Sequence, residues 1–271
     1  MATQSDQSGH TLVRSSLLLF GAYAFAYSVL ITVHELGHAL VLRAFGVTDV
    51  KVVLHPFTGS RTIWDATDEF IGTVDAAGPL AAILVGTIVT AVFWVWRRPV
   101  LMPFLLFAPV AYLTEGLSNF MQVALRSPGS DALRMIAAGV PESALIVFTV
   151  VIFLAGIVVL LLLLPLLNLS PAAGFWEKAL TLAGGLGGFM LLRVVYGLLV
   201  DDQALSRNGP QLAFALLMGV LLAALFRPAY RLLGRLARTA VMPVEWPASW
   251  VAVILGVGVV VIQLAFFSGV S

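Results

Sequence analysis

An all-α polytopic membrane protein of about seven transmembrane helices is what this sequence predicts, with a small β-rich insertion between the first and second spans. Three observations carry that expectation. Of 271 residues, 60% are hydrophobic and only 11% are charged, and the mean hydropathy is +1.02. A soluble domain of this length needs far more polar surface. Uncharged apolar runs recur that approach or exceed the roughly 18–20 residues needed to cross a bilayer. The breaks between them are rich in Gly, Pro and charge, as chain turns between helices require. The net charge of +1 comes without a basic stretch of the kind nucleic acid calls for, so no such partner is expected. The lipid bilayer is the expected surroundings, and the oligomeric state is left open.

Taken in order, residues 1–10 read as a polar tail. The first span runs from about Thr11 to Phe45, and Gly46 ends it as a C-cap glycine. It lacks a signal-peptide cleavage pattern and is read as retained. Thr48 to Val74 changes character: Val50-Lys51-Val52-Val53-Leu54 and Phe70-Ile71-Gly72-Thr73-Val74 are short β-prone runs, expected to form a strand pair at the membrane surface. Gly78-Pro79 opens the second span, which stops at Arg97-Arg98-Pro99. The third runs from about Leu101 to Leu125. After the break at Arg126-Ser127-Pro128-Gly129-Ser130, a short interfacial helix starts near Asp131 and precedes the fourth span, Glu142 to Leu167. The fifth covers about Glu177 to Val200 and carries Gly184 and Gly188, a small-xxx-small pair suited to tight helix packing. The sixth runs from about Pro210 to Phe226. Arg227, Arg231, Arg235 and Arg238 follow at helical spacing, either as a basic surface helix on anionic lipid or as a stop-transfer flank. The seventh is about Trp246 to Phe267, with Trp246 and Trp250 as interfacial anchors. The chain divides into the tail 1–10, a core 11–145 and additional helices 146–271.

The chemistry lies at the end of the first span. Ser15 to Val33 holds no charged residue, and His34-Glu35-Leu36-Gly37-His38 follows directly. Ionisable groups at membrane depth are costly. On a helix, His34 and His38 share one face, where two ring nitrogens can grip one metal. Glu35, one step round, can hold or deprotonate water. The bland reading is two core histidines satisfied by hydrogen bonds. A catalytic zinc needs three protein ligands and an open position. With no cysteine in the chain, the third must be His, Asp or Glu. Glu115, Asp131 and His55 are the candidates: Glu115 as a carboxylate inside a span that needs a partner, Asp131 at a helix start where Asp is also a common N-cap, and His55 in a surface segment.

Three pieces of sequence resemble the site-2-protease-like intramembrane zinc metalloproteases: His34-Glu35-Leu36-Gly37-His38 within a transmembrane helix, Ala77-Gly78-Pro79-Leu80-Ala81 at the next span, and Pro128-Gly129-Ser130-Asp131-Ala132 as the distal motif. The resemblance covers about residues 15 to 145. Ala82 stands where the family often has Asn, and Ala132 where it usually has Gly. The resemblance implies an intramembrane metalloprotease that hydrolyses peptide bonds of membrane-spanning protein substrates. It implies one Zn2+ per chain held by His34, His38 and Asp131, with Glu35 as general base. It makes Asn119 the candidate oxyanion donor or backbone clamp, and gives the β-prone stretch a possible role as an edge strand for an unwound substrate. The expected location is the cell membrane, multi-pass. Two alternatives stay open: an inactive relative that binds or guides membrane proteins, and a metal or solute transporter using His34 and His38. With seven spans, eight Lys and Arg share one side and seven the other, so charge does not orient the chain.

Overall fold

Each apolar run folds as a helix, since no other open segment satisfies its own backbone hydrogen bonds in hydrocarbon. The computed structural model describes residues 4–57, 60–64, 71–127, 129–167, 169, 174–200, 204–233 and 244–266. Its helices are α1 (Gln4–Ala44), α2 (Ile71–Trp94), α3 (Met102–Leu105), α4 (Phe107–Ala124), α5 (Asp131–Ala137), α6 (Glu142–Leu163), α7 (Phe175–Val200), α8 (Ala204–Leu233) and α9 (Trp246–Phe266). Two strands, β1 (Val50–Val53) and β2 (Arg61–Trp64), lie between α1 and α2. Seven segments among the described residues are long and apolar enough to cross a membrane: Leu12–Ala44, Gly72–Trp94, Pro99–Ala124, Glu142–Leu167, Phe175–Leu199, Gln211–Pro228 and Trp246–Phe266. The fold is therefore the all-α polytopic one that the composition predicts, with a two-stranded insertion after the first span.

α1 is the hub and packs on α2, α7 and α9. Leu18, Leu19, Ala22 and Leu30 from α1 join Leu105, Leu106, Leu163, Leu182, Phe189 and Phe226 in one core. Lipid tails are as apolar as leucine, so close packing and polar contacts, rather than expulsion of water, must hold such helices together. α1 and α9 supply one example. A Cβ on Gly256 would lie 2.6 Å from the Gly21 carbonyl oxygen, so only glycine permits that approach. The Gly184 and Gly188 faces meet Ser16 and Phe20 of α1, as a small-residue stripe implies, although Gly185 against Leu19 is tighter still. Arg193 supplies the polar counterpart. It is 4% exposed, inside the bundle rather than with the flanking cations. Its Nη1 donates to Tyr27 Oη at 2.6 Å and to Gln211 Oε1 at 2.9 Å, joining α7 to α1 and α8.

Three boundaries differ from the sequence reading. The first apolar span is Leu12–Ala44, where the sequence reading puts it, but its helix extends back to Gln4 through the stretch read as a tail, since nothing there forbids extending a nucleated helix by one bond per residue. The strand pair exists, antiparallel with Val50 opposite Trp64 and Val52 opposite Thr62. Its second strand, however, is Arg61–Trp64, and Ile71–Val74 is the first turn of α2. Thr, Ile and Trp favour a half-buried pleated surface. Ile71–Val74 is instead drawn into a helix by its neighbours: Gly72 packs on Ala138, and Val74 is buried beside α1. α2 also runs through Pro79. Proline removes the N–H that would bond to the Asp75 carbonyl, and the adjacent Val74 carbonyl accepts a bond from His38. Phe70, Pro128, Arg235 and Arg238 lie outside the described residues.

Candidate metal centre

The i, i+4 spacing places both imidazoles on one face of α1, and α2 crosses that face. A Cβ on Gly37 would meet the Ala77 carbonyl oxygen at 2.7 Å, and a Cβ on Gly78 would collide with the His38 ring and lie 2.9 Å from His34 Cδ2. Gly78 is thus the floor under both rings. Replacing it with Ala is expected to tilt His38 and lower divalent-metal affinity by at least the roughly 10- to 100-fold typical of losing an outer-shell support. Chelator competition on Gly78→Ala protein of unchanged helical content checks this.

The outward nitrogens of both rings are fixed. His38 Nδ1 lies 2.6 Å from the Val74 carbonyl oxygen. A carbonyl only accepts, so Nδ1 carries the proton and a neutral ring leaves its lone pair on Nε2. His34 Nδ1 lies 2.8 Å from Glu115 Oε1 in the same way. The two Nε2 atoms then face each other at 3.0 Å. Asp131 Oδ2 stands 3.3 Å from one and 3.6 Å from the other. Burial opposes ionisation of Asp131, and hydrogen bonds from His34 and His38, then their charge, outweigh it when the rings are protonated, holding the carboxyl below the usual carboxylate range. With both rings neutral, two imidazole lone pairs and a carboxylate oxygen converge, a set of acceptors able to hold one cation. A proton on one Nε2 can serve one contact at a time, whereas a cation at the centre serves all three.

The donor set fits zinc. Ligands about 2.0–2.1 Å from a tetrahedral zinc lie about 3.3–3.4 Å from one another, and the triangle here has sides of 3.0, 3.3 and 3.6 Å. Among the described residues, His34, His38 and Asp131 form the group of His, Asp and Glu side chains able to hold a metal together. Asp131 is the first residue of α5. Ser130 occupies the N-cap position, so the Asp131 side chain is not engaged as a cap and turns inward. Glu115 stands behind His34 as its hydrogen-bond acceptor, the outer-shell place for a carboxylate. His55 is not in the group. Its ring packs at 5.7 Å on that of Tyr196, and burial, then the charge of Arg193, lower its pKa.

Glu35 is 5% exposed. Thr62 Oγ1, on β2, is 2.8 Å from its Oε2 and 3.0 Å from its backbone oxygen. One hydroxyl proton serves one of these at a time, so the strand pair is latched to the acid of the motif. Trp64, two residues along β2, lies on the same strand face, its ring 5.8 Å from the Arg134 guanidinium carbon. Asn119 is buried on α4, and its Nδ2 donates to the Glu115 carbonyl at 2.8 Å and to Glu115 Oε2 at 3.4 Å. The Asn119 amide nitrogen is directed at Glu115 on both counts, so in this arrangement Asn119 steadies the acceptor of His34. Thr62 and Arg134 were not singled out from sequence. Thr62 sits in a strand whose pairing the pattern misplaces by several residues, and Arg134 lies in the short helix after Asp131 with no motif to mark it. No protein-family model, curated protein or solved structure matches the chain.

Proposed function

We propose that this protein is a zinc-dependent intramembrane endopeptidase of the site-2-protease-like kind, acting on membrane-spanning protein substrates from the cell membrane. The observation that carries the reading is the triangle of three converging acceptors beside Glu35, within a bundle of apolar helices. His34, His38 and Asp131 are the ligands in this reading, with one zinc per chain. When bound there, zinc supplies a Lewis acid against which water and the scissile carbonyl are polarised.

Glu35 takes a proton from the attacking water onto its carboxylate and returns it to the leaving nitrogen as the C–N bond breaks. Thr62 holds the Glu35 carboxylate by hydrogen bond and so sets where that proton is received. Glu115 and the Val74 carbonyl keep both imidazoles in the tautomer that presents Nε2. The apolar helices limit the water that reaches the site, which strengthens each of these electrostatic contacts. A substrate helix must unwind before its backbone can be attacked. The two-stranded sheet gives that extended chain a partner, since β2 has one unpaired edge among the described residues and Thr62 ties it to Glu35.

The test is cleavage of a single-span protein co-reconstituted with the enzyme in liposomes. The expected result is a cut within or at the edge of the span, abolished by a zinc chelator and restored by zinc. A zinc-loaded enzyme that binds the substrate and leaves it whole is a guide and not a protease. Zinc flux across the same vesicles would assign a transporter.

A further inference from the structure

One layer out from the three acceptors lies a buried acid that peptide hydrolysis does not use. Asp75 on α2 is fully buried. Arg134 Nε donates to both of its oxygens at 2.9 Å, and Arg134 Nη2 lies 2.8 Å from Oδ1. The same Nη2 donates to Asp131 Oδ1 at 2.8 Å, while Nη1 donates to the Gly129 carbonyl at 2.8 Å. Asp131 is therefore divided: Oδ1 belongs to Arg134, and Oδ2 faces His34 and His38.

We propose that Arg134 is the positioning residue that holds Asp131 as a one-oxygen third ligand, and that Asp75 is the anchor that holds Arg134. The proposal rests on the reading of His34, His38 and Asp131 as a metal centre. A free aspartate can turn about its side chain and offer either oxygen, or both. With Oδ1 engaged, one oxygen remains on the metal side, and the coordination space that a second would take stays open for water and the scissile carbonyl, as a catalytic zinc site requires. The i, i+3 spacing on α5 lets Arg134 reach back to Asp131, and the Gly129 contact ties the guanidinium to the turn before the helix. Gly129 has φ +71°, a conformation glycine adopts without strain. The planar guanidinium can serve Asp75, Asp131 and Gly129 at once, whereas an ammonium has no such fork. Trp64 of β2 stacks toward it, so the strand that latches Glu35 also covers the support of the third ligand.

A structural clamp between α2 and α5 would alter stability and leave the metal alone, so the test reads the metal. Arg134→Gln alone strands a buried carboxylate and can fail to fold. The informative variant is therefore Asp75→Asn/Arg134→Gln, in which neither partner is left as a buried charge. Full-length protein in detergent is titrated with zinc against a chelator, and with cobalt, whose visible absorption reports coordination number. The expected result is a loss of zinc affinity of about 10- to 100-fold, the range for outer-shell partners, together with a changed cobalt spectrum, at unchanged helical content and elution. Arg134→Lys is expected to recover part of the affinity and not the spectrum. Zinc affinity of the double variant within threefold of wild type, while Asp131→Ala loses zinc, overturns the role of Arg134 and leaves the metal centre standing. A folded wild type that binds neither metal overturns the metal centre, and this proposal with it.

Discussion

Glu35→Gln is expected to keep its zinc and to lose peptide hydrolysis by about 100- to 10,000-fold, the usual worth of a positioned general base. Gln is nearly isosteric and can still accept from Thr62, whose hydroxyl is 2.8 Å from the Glu35 carboxylate, so the strand pair should stay latched. What is lost is the capacity to take a proton from water. Initial cleavage rates of a co-reconstituted single-span substrate, with zinc content measured on the same preparation, give the two readouts together. A variant that cleaves within a few-fold of wild type would assign the base elsewhere, and one that has also lost zinc would give Glu35 a structural part.

Asp131→Ala and Glu115→Ala are expected to separate by the size of their effect on zinc. Both carboxylates lie close to His34, but on opposite nitrogens: Asp131 Oδ2 is 3.3 Å from Nε2, and Glu115 Oε1 is 2.8 Å from Nδ1. Removing Asp131 deletes one of three ligands. Removing Glu115 takes away the acceptor that orients the ring, a loss of about 10- to 100-fold, and leaves the buried Asn119 amide without one of its acceptors. Zinc affinity of Asp131→Ala should fall well beyond that of Glu115→Ala, as read by chelator competition. The reverse order would make Glu115 the ligand and Asp131 a support.

The parts of this account that sequence made legible are those whose signal is local. α9, and α6 beyond Glu142, are long uncharged runs, and the bilayer dictates both their length and their form. His34 and His38 are visible because four residues is one helical turn, and Glu115 stands out as a carboxylate in a span. Which atom Glu115 faces was not legible, because its partner is 81 positions away in the chain. The strand pair was half legible. Val50 to Val53 read correctly, but the apolar run ending at Val74 looked as strand-like as Arg61–Trp64, and only packing against α5 and α1 makes it a helix. Asp75 is illegible for the same reason: just past the end of a surface strand it would be an ordinary solvated acid, and on α2 it is sealed against Arg134.

The central claim, a zinc held by His34 and His38 with Asp131, is tested most directly by elemental analysis of the full-length protein purified in mild detergent, beside His34→Ala and His38→Ala. Wild type should carry one zinc per chain and each variant close to none, at matched helical content. A folded wild type that stays zinc-free after supplementation, or histidine variants that retain zinc at the wild-type ratio, would contradict it.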